Sequence, residues 1–223
     1  QVASIPRSRI QVLTVRRSLL HRMLGRARVL VGTAGGDQNE QHQGHESGAQ
    51  FAPLLRNAEI PALLTRIRPD LNLSDLDWQP LGQHAGRRMM VVPTLMAVTI
   101  GALLYLMFDI PGALAGAALL LLAWVRAGLR WRISRWARPA WGMVWRSGSW
   151  SVSVSATFHD KLQAVTLAEN PLDRRNGHAT LLLDTAGGAK TGHPLAIPFL
   201  PRALAARMQT ELAENAAAMR FRW

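Results

Sequence analysis

The chain places short alternating apolar runs on either side of one long uninterrupted apolar region near its middle. Residues 89–108 carry no charged side chain. At about 1.5 Å of rise per residue, a helix of this length covers the roughly 30 Å hydrocarbon core of a bilayer. A turn sequence at 109–112 and a second apolar run at 113–125 follow. The pattern predicts a transmembrane helical hairpin over 89–126, with arms 89–108 and 110–126. Two buried helices of a soluble protein are the alternative.

After this region the apolar positions recur at strand and then at helix spacing. Predicted strands cover 131–134, 142–146, 150–157, 162–167, 179–184 and 194–197, and the third alternates serine with valine. A polar interruption with turn residues occupies 170–177. From Pro201 to Arg220 the spacing becomes helical, with Leu204, Met208 and Leu212 on one side. An α+β fold follows, in which an antiparallel sheet is closed by a C-terminal helix.

Part of this pattern occurs twice. Residues 9–36 align without gaps with residues 161–188 at an offset of 152, with eleven identities. Self-similarity of this kind indicates a duplicated unit, one copy on each side of the apolar region. Both copies end in Thr-Ala-Gly-Gly, and paired glycines provide the positive backbone angles of a hairpin turn. The predicted turn residues are Gly35, Gly36, Gly187 and Gly188.

The first copy is predicted to be incomplete. At the same offset, Gln1 corresponds to Ser153, so the first copy lacks counterparts of residues 131–152. These residues carry the first two predicted strands and the start of the third. Because the chain also begins with Gln, we expect it to be the C-terminal part of a longer protein.

The charge is strongly basic and unevenly distributed. The formal net charge is +12, and no acidic residue occurs in 1–36 or in 110–159. A basic chain can bind nucleic acid or anionic lipid. The cations concentrate beside the apolar region and in the first copy, and juxtamembrane cations attract anionic lipid at about 1 kcal/mol each. No nucleic-acid-binding motif accompanies them, so we predict lipid and no nucleic acid.

Ten arginines are candidate contacts with the membrane surface or with anionic lipid. The alternative for those of the first copy is a solvated basic face. Asp109 is the only charged residue in the loop between the two arms, whereas arginines flank both ends of the hairpin. The positive-inside bias therefore places both flanks in the cytoplasm. The candidates are Arg16, Arg17, Arg22, Arg26 and Arg28 in the first copy, and Arg87, Arg88, Arg126, Arg130 and Arg132 beside the hairpin.

Residue patterns for catalysis, metal or cofactor binding are weak. The chain has no cysteine, which excludes disulfides and thiol nucleophiles. The segment 187–191 invites comparison with a phosphate-binding loop, but it lacks the Gly-Lys pair and is interpreted as a hairpin turn. His42 and His45 lie in a polar insertion that is typical of a disordered loop tip rather than a metal site. We therefore predict no catalytic residues, no metal, no cofactor and no enzymatic activity; an enzyme with a novel site is the remaining alternative.

The order of these features resembles a known family. The residues concerned are Ile5-Pro6-Arg7-Ser8-Arg9-Ile10-Gln11, the Leu20-x-Arg22-x-x-Gly25-x-Ala27 stretch, the Thr-Ala-Gly-Gly turn, the linker Leu73–Leu81 and the hairpin. Together they resemble the YdbS/YdbT-like bacterial proteins with pleckstrin-homology-like (PH-like) domains, also called membrane-flanked domain proteins. The second copy departs from the first string, since it keeps Gln163 and has no counterpart of the proline.

The resemblance implies a domain organisation and a class of function. It implies PH-like domains at 1–73 (incomplete) and 127–223, each a β-barrel-like sheet closed by a helix, with a linker at 74–88. Both would face the cytoplasm in a multi-pass protein of the bacterial inner membrane. The expected function is non-enzymatic interaction with anionic lipid, a protein partner or further copies of the chain. The alternative is an accessory subunit of a transport or export complex, or of one that resists antimicrobial peptides.

Overall fold

The computed structural model describes Pro6 and residues 9–33, 49–82, 84–185 and 195–218, and it is an α+β structure. Helices and strands follow in the order of the chain. They are β1 (Ile10–Arg17), α1 (Leu19–Met23), β2 (Arg26–Thr33), β3 (Ala49–Arg56), α2 (Ile60–Ile67), β4 (Gln79–Pro80), α3 (Ala85–Ile133), β5 (Arg135–Ala137), β6 (Gly142–Gly148), β7 (Val152–Phe158), β8 (Leu162–Ala168), α4 (Pro171–Arg175), β9 (His178–Thr185), β10 (Leu195–Pro201) and α5 (Arg202–Ala218).

The N-terminal strands form an antiparallel unit that α2 covers on one face. In β1 and β2, Val15 lies opposite Val29, and the alternation of buried and half-buried residues is that of strands with one face in a core. Their buried side chains pack with Ile60 and Leu64 of α2. Because Ile60 and Leu64 are four residues apart, they project from the same side of the helix.

The C-terminal unit, the described residues from 135 to 218, contributes three strands to a larger antiparallel sheet and forms a smaller sheet with a closing helix. β5, β6 and β7 belong to the larger sheet, and β8, β9 and β10 form the smaller one. One core joins Trp145 of β6, Leu181 of β9, Ile197 of β10 and Leu212 of α5. The predicted sheet and C-terminal helix are confirmed here, and α4 is a short helix within the predicted polar interruption.

The larger sheet contains strands from both sides of α3. Its order is β3-β2-β1-β7-β6-β5-β4, so β1 pairs with β7. Thr14 lies opposite Ser155, and their hydroxyl oxygens are 3.0 Å apart. An unpaired edge strand exposes a row of hydrogen-bonding groups. Pairing with β7 satisfies these groups along one side of β1.

The two aligned stretches have the same local structure at a pair of glycines. Gly25 follows α1 with φ +63°, and Gly177 follows α4 with φ +66°. Glycine adopts this left-handed conformation without steric cost. The carbonyl oxygen of Gly25 accepts from the backbone N–H of Asn57, and that of Gly177 accepts from Arg202, both at 2.9 Å. The turn glycines Gly35, Gly36, Gly187 and Gly188 lie outside the described residues.

The helical path of α3 is broken at Asp109, whose φ and ψ are 52° and −129°. Two helical arms, 85–108 and 110–133, lie on either side of it. The indole Nε1 of Trp124 donates a hydrogen bond of 2.9 Å to Thr94 Oγ1. On a straight helix these residues would be about 45 Å apart. The arms therefore fold back on each other and lie side by side.

The strand predicted at 131–134 is wrong. The second arm of α3 continues to Ile133, and the strand begins only at Arg135. Alanine, leucine and arginine between 126 and 133 are strong helix formers, so the helix extends through a tryptophan and an isoleucine that in isolation favour a strand.

The segment between α2 and α3 packs on the sheet. Leu73, Leu76 and Trp78 contact the buried residues Val144 and Ala156. The last residues of this segment form β4, which pairs with β5. The segment 74–88, predicted as a linker, is thus partly structured and positions one wall of a cavity described below.

Candidate binding surface

The surface of α3 is apolar. Most of the large apolar side chains that are exposed in the described part of the chain lie on this element. Its most apolar window of 18 residues has a mean hydropathy of 2.1, and only 6% of that window is buried. The positions buried within the two arms are all small residues: Ala85, Gly86, Ala97, Gly112, Gly116 and Ala127. Among the described helices, α3 alone is long and apolar enough to cross a membrane.

Glycines allow the two arms of α3 to approach each other closely. A Cβ atom built on Gly116 would lie 2.6 Å from the Cα atom of Gly101. Real Cβ atoms do not approach a backbone atom this closely, so this packing requires glycine at 116. A Cβ atom on Gly101 would be crowded, at 3.1 Å from the Cα atom of Gly116. Small residues that bring backbones together are typical of helix pairs in membranes.

An ion pair connects α4 of the C-terminal unit to the base of α3, which is the end of the element opposite Asp109. Arg88 Nε donates to Asp173 Oδ1 at 3.0 Å, and the two side chains are 11% and 6% exposed. Asp173 lies in α4, where Asn170 caps the helix by accepting from its backbone N–H. Arg88 was predicted as a membrane-surface contact. The structure corrects this prediction, because its guanidinium is bound within the protein.

The other predicted arginines of α3 lie exposed at the two ends of the element. Arg87 is in the first turns of the helix, and Arg130 and Arg132 are in its last turns. Trp150 lies in the turn between β6 and β7, and the guanidinium of Arg126 is 5.9 Å from the centroid of its ring. The turn between β6 and β7 therefore lies beside the end of the apolar run 113–125.

The arginines of the first copy are distributed over β1, α1 and β2. Arg16 and Arg28 are cross-strand partners, and Arg16 Nε donates to Ser151 Oγ at 3.1 Å. Arg17 and Arg22 are exposed at the end of β1 and in α1, and Arg26 begins β2. Their contact with lipid remains a prediction.

Arg146 extends this basic group and was missed from the sequence. It lies opposite Arg135 in the pairing of β6 with β5. Burial lowers the pKa of Arg146, and the positive charges of Arg17, Arg22 and Arg135 lower it further. Like charges held together favour a bound anion, which would reduce their repulsion. No sequence pattern relates these residues, because the pairing of β1 with β7 brings them together.

A cavity of about 520 Å³ lies beside this basic group. The sheet contributes Val15 and Val154, and α2 contributes Leu64. Arg17 and Arg146 provide positive charge among the lining residues. Volumes of this size are typical of small-molecule sites. The walls are mixed, since Asn57, Asn72 and Ser74 also line the cavity. The chemistry suits a ligand that has an apolar part and an anionic group.

Two histidines of the C-terminal part have lowered pKa values. His178 is buried, and its ring meets that of His84 edge-on at 6.2 Å between centroids. Burial lowers the pKa of His178, with a smaller lowering by His84 and an opposing effect of Asp173. Burial also lowers the pKa of His159, and the positive charge of Arg138 lowers it further. Within the described residues no group of three or more His, Asp or Glu side chains is arranged to hold a metal.

Comparison with known families identifies the class of protein. The family described as Bacterial PH domain matches residues 91–216, more than half of the chain. The chain belongs to this family, and the match covers most of α3 and nearly all of the C-terminal unit. The expectation of a PH-like domain on this side of α3 is thereby confirmed. No curated protein and no solved structure matches the chain.

Proposed function

We propose that this chain is a non-enzymatic protein of the bacterial inner membrane that presents PH-like modules on the cytoplasmic side. These modules bind a protein partner or anionic lipid. The observation that carries the proposal is the exposed apolar surface of α3. Large exposed apolar patches on a folded protein mark interaction sites. A bilayer is the partner that this surface fits in length and composition.

The dimensions of the two arms agree with a transmembrane hairpin. An arm over 85–108 is about 36 Å long, enough to cross a hydrocarbon core of roughly 30 Å. All backbone hydrogen bonds of a helix are internal, as a membrane-spanning segment requires. Asp109 lies at the far end, where the backbone leaves the helical conformation and water or lipid head groups can solvate its carboxylate.

The arginines support an orientation with both folded units in the cytoplasm. Arg87, Arg130 and Arg132 are exposed at the end of α3 from which the chain enters both units, and Asp109 is at the opposite end. Positive residues are retained on the cytoplasmic side of a membrane. Cations at this level also attract anionic lipid, at about 1 kcal/mol each.

The family and the cavity support a binding role for the modules. A PH-like domain is an interaction module, and fold alone does not select its ligand. In this chain the cavity combines Val15 and Val154 with Arg17 and Arg146. Its location on a sheet shared by both copies suggests that binding depends on the two units together. A protein partner, or further copies of the chain in the membrane, also belongs to this proposal.

Membrane integration is tested by alkaline extraction. The full chain would be produced in bacterial cells, and the isolated membranes would be washed with carbonate at high pH and then with detergent. We expect the chain to remain in the membrane after carbonate and to dissolve only in detergent. Release by carbonate would mean that α3 is covered by protein rather than by lipid, and the proposal would then fail.

A further inference from the structure

The short helix α1 exposes a cluster of apolar side chains. Leu19, Leu20, Met23 and Leu24 are 49%, 70%, 84% and 69% exposed, and no residue of α1 is buried. Single exposed apolar residues are common, but four within six positions form a patch. We call these four residues the apolar tip.

The apolar tip lies where β1 ends and β2 begins, at the strand ends of the sheet nearest the second arm of α3. Arg17, immediately before α1, is the partner of Val152 in the pairing of β1 with β7. Two residues before Val152 is Trp150, whose ring lies near the guanidinium of Arg126. Arg126 directly follows the apolar run 113–125. The tip is therefore on the side of the sheet where α3 leaves its apolar region.

The equivalent helix of the second copy also lies close to the end of α3 that is opposite Asp109. In the alignment of the two copies, α1 corresponds to α4, and His21 occupies the position of Asp173. Asp173 binds Arg88 at the base of α3. In the second copy, the helix between the two aligned strands thus lies beside the first turn of α3. With His21 at this position, α1 does not form the corresponding ion pair.

The charges around the tip select an anionic surface. Arg17, Arg22 and Arg26 lie beside or within α1, and residues 9–33 contain no acidic side chain. The positive group continues to Arg146, whose neighbours include Arg17 and Arg22. An apolar patch surrounded by cations is typical of elements that insert into the interface of anionic membranes.

We propose that the apolar tip inserts into the interfacial region of the same anionic bilayer that α3 spans. This inference rests on the proposed membrane location. The side chains of Leu20, Met23 and Leu24 enter the boundary between head groups and acyl chains, and the surrounding arginines contact phosphates. Together with α3, the tip fixes the orientation of the sheet relative to the membrane.

Site-specific fluorescence quenching in the full chain tests this inference. The chain has no cysteine, so single cysteines can be introduced without background. Met23→Cys, Leu103→Cys in α3 and Thr65→Cys on the exposed side of α2 would each carry an environment-sensitive fluorophore. Each labelled chain would be reconstituted into vesicles of phosphatidylethanolamine and phosphatidylglycerol, with and without nitroxides on the acyl chains. We expect strong quenching at Met23 and Leu103, and none at Thr65.

The outcomes separate this inference from the proposed function. Quenching at Leu103 without quenching at Met23 would overturn the inference and leave the membrane location intact. Absence of quenching at both positions would overturn the two together. A blue-shifted but unquenched fluorophore at Met23 would show that the tip is covered by protein, either a partner or a second copy, and would also overturn the inference.

A second set of variants distinguishes apolar insertion from attraction by charge. The fluorophore is placed at Leu24→Cys, and the double substitution Leu20→Asn and Met23→Asn should abolish most of its quenching. The side chains of Leu20 and Met23 are so exposed that their substitution should not affect folding. The matched control is Leu172→Asn in α4, a leucine that is also exposed and should have no effect. Quenching should persist at 1 M salt. Loss of quenching in salt, together with its retention in the asparagine variant, would leave only an electrostatic contact and refute insertion.

Discussion

Substitution of Asp173 by Asn leaves the buried guanidinium of Arg88 without its counter-charge. The two side chains are 6% and 11% exposed, and the hydrogen bond between them is 3.0 Å long. Removing one member of a buried pair costs about 3–5 kcal/mol, because the remaining charge stays desolvated. Domains of this kind have total stabilities of about 5–15 kcal/mol. We therefore expect Asp173→Asn to weaken both the C-terminal unit and its attachment to α3.

The measurement is denaturant unfolding of the detergent-solubilised chain, followed by tryptophan fluorescence. The control is Glu211→Gln, which removes the partner of Arg138 on the surface, where the side chains are 53% and 31% exposed. Such pairs contribute about 0–1 kcal/mol. A double variant, Arg88→Met with Asp173→Leu, should recover most of the loss, since replacing both members of a buried pair by apolar residues is often neutral.

Two results would refute this reasoning. One is an unfolding midpoint for Asp173→Asn that is no lower than that of the surface control. The other is a double variant whose loss equals the sum of the single losses for Arg88→Met and Asp173→Leu, because independent sites add and coupled sites do not.

Three further predictions concern the arms of α3, the shared sheet and the response to pH. Gly116→Ala should lower the melting temperature, because the added methyl group forces the arms of α3 apart. The control Gly128→Ala places a Cβ atom where nothing lies within 4 Å, so it should be neutral or stabilising by up to about 1 kcal/mol. Equal effects of the two variants would contradict the packing of the arms. Cysteines at Thr14 and Ser155 should form a disulfide on oxidation within one chain, and failure to cross-link would argue against the pairing of β1 with β7. Because burial lowers the pKa of His178, the unfolded state binds its proton more readily, so stability should fall as pH decreases from about 6.5 towards the folded pKa. The melting temperature should be lower at pH 5.5 than at pH 7.5, and His178→Gln should reduce this difference; an unchanged slope would exclude His178 as its source.

The sequence predicts those features whose cause is local. The uncharged run 89–108 and the turn at Asp109 indicate the apolar element and its break, because helix length and turn residues follow from neighbouring side chains. The alternation in 150–157 similarly predicts β7. The positive backbone angles of Gly25 and Gly177 agree with their alignment, since only glycine adopts them without cost.

Features that depend on distant partners could not be predicted in this way. The pairing of β1 with β7 joins strands on either side of α3, and no local pattern specifies it. Asp173 looks like an ordinary N-terminal helix residue until the fold brings Arg88 beside it. Leu20 and Met23 resemble core positions in the sequence, but the structure leaves them on the surface. In each case the tertiary neighbours, rather than the residue type, decide burial.

The central claim is that α3 crosses the membrane as a hairpin with both folded units in the cytoplasm. Its most direct test is labelling of single cysteines with a membrane-impermeant thiol reagent in intact cells. The positions are Asp109→Cys at the break of α3, Thr65→Cys in α2 and Thr210→Cys in α5. We predict that Asp109→Cys is labelled from outside, and that the other two react only after permeabilisation. External labelling of Thr65→Cys or Thr210→Cys, with Asp109→Cys protected, would contradict the account.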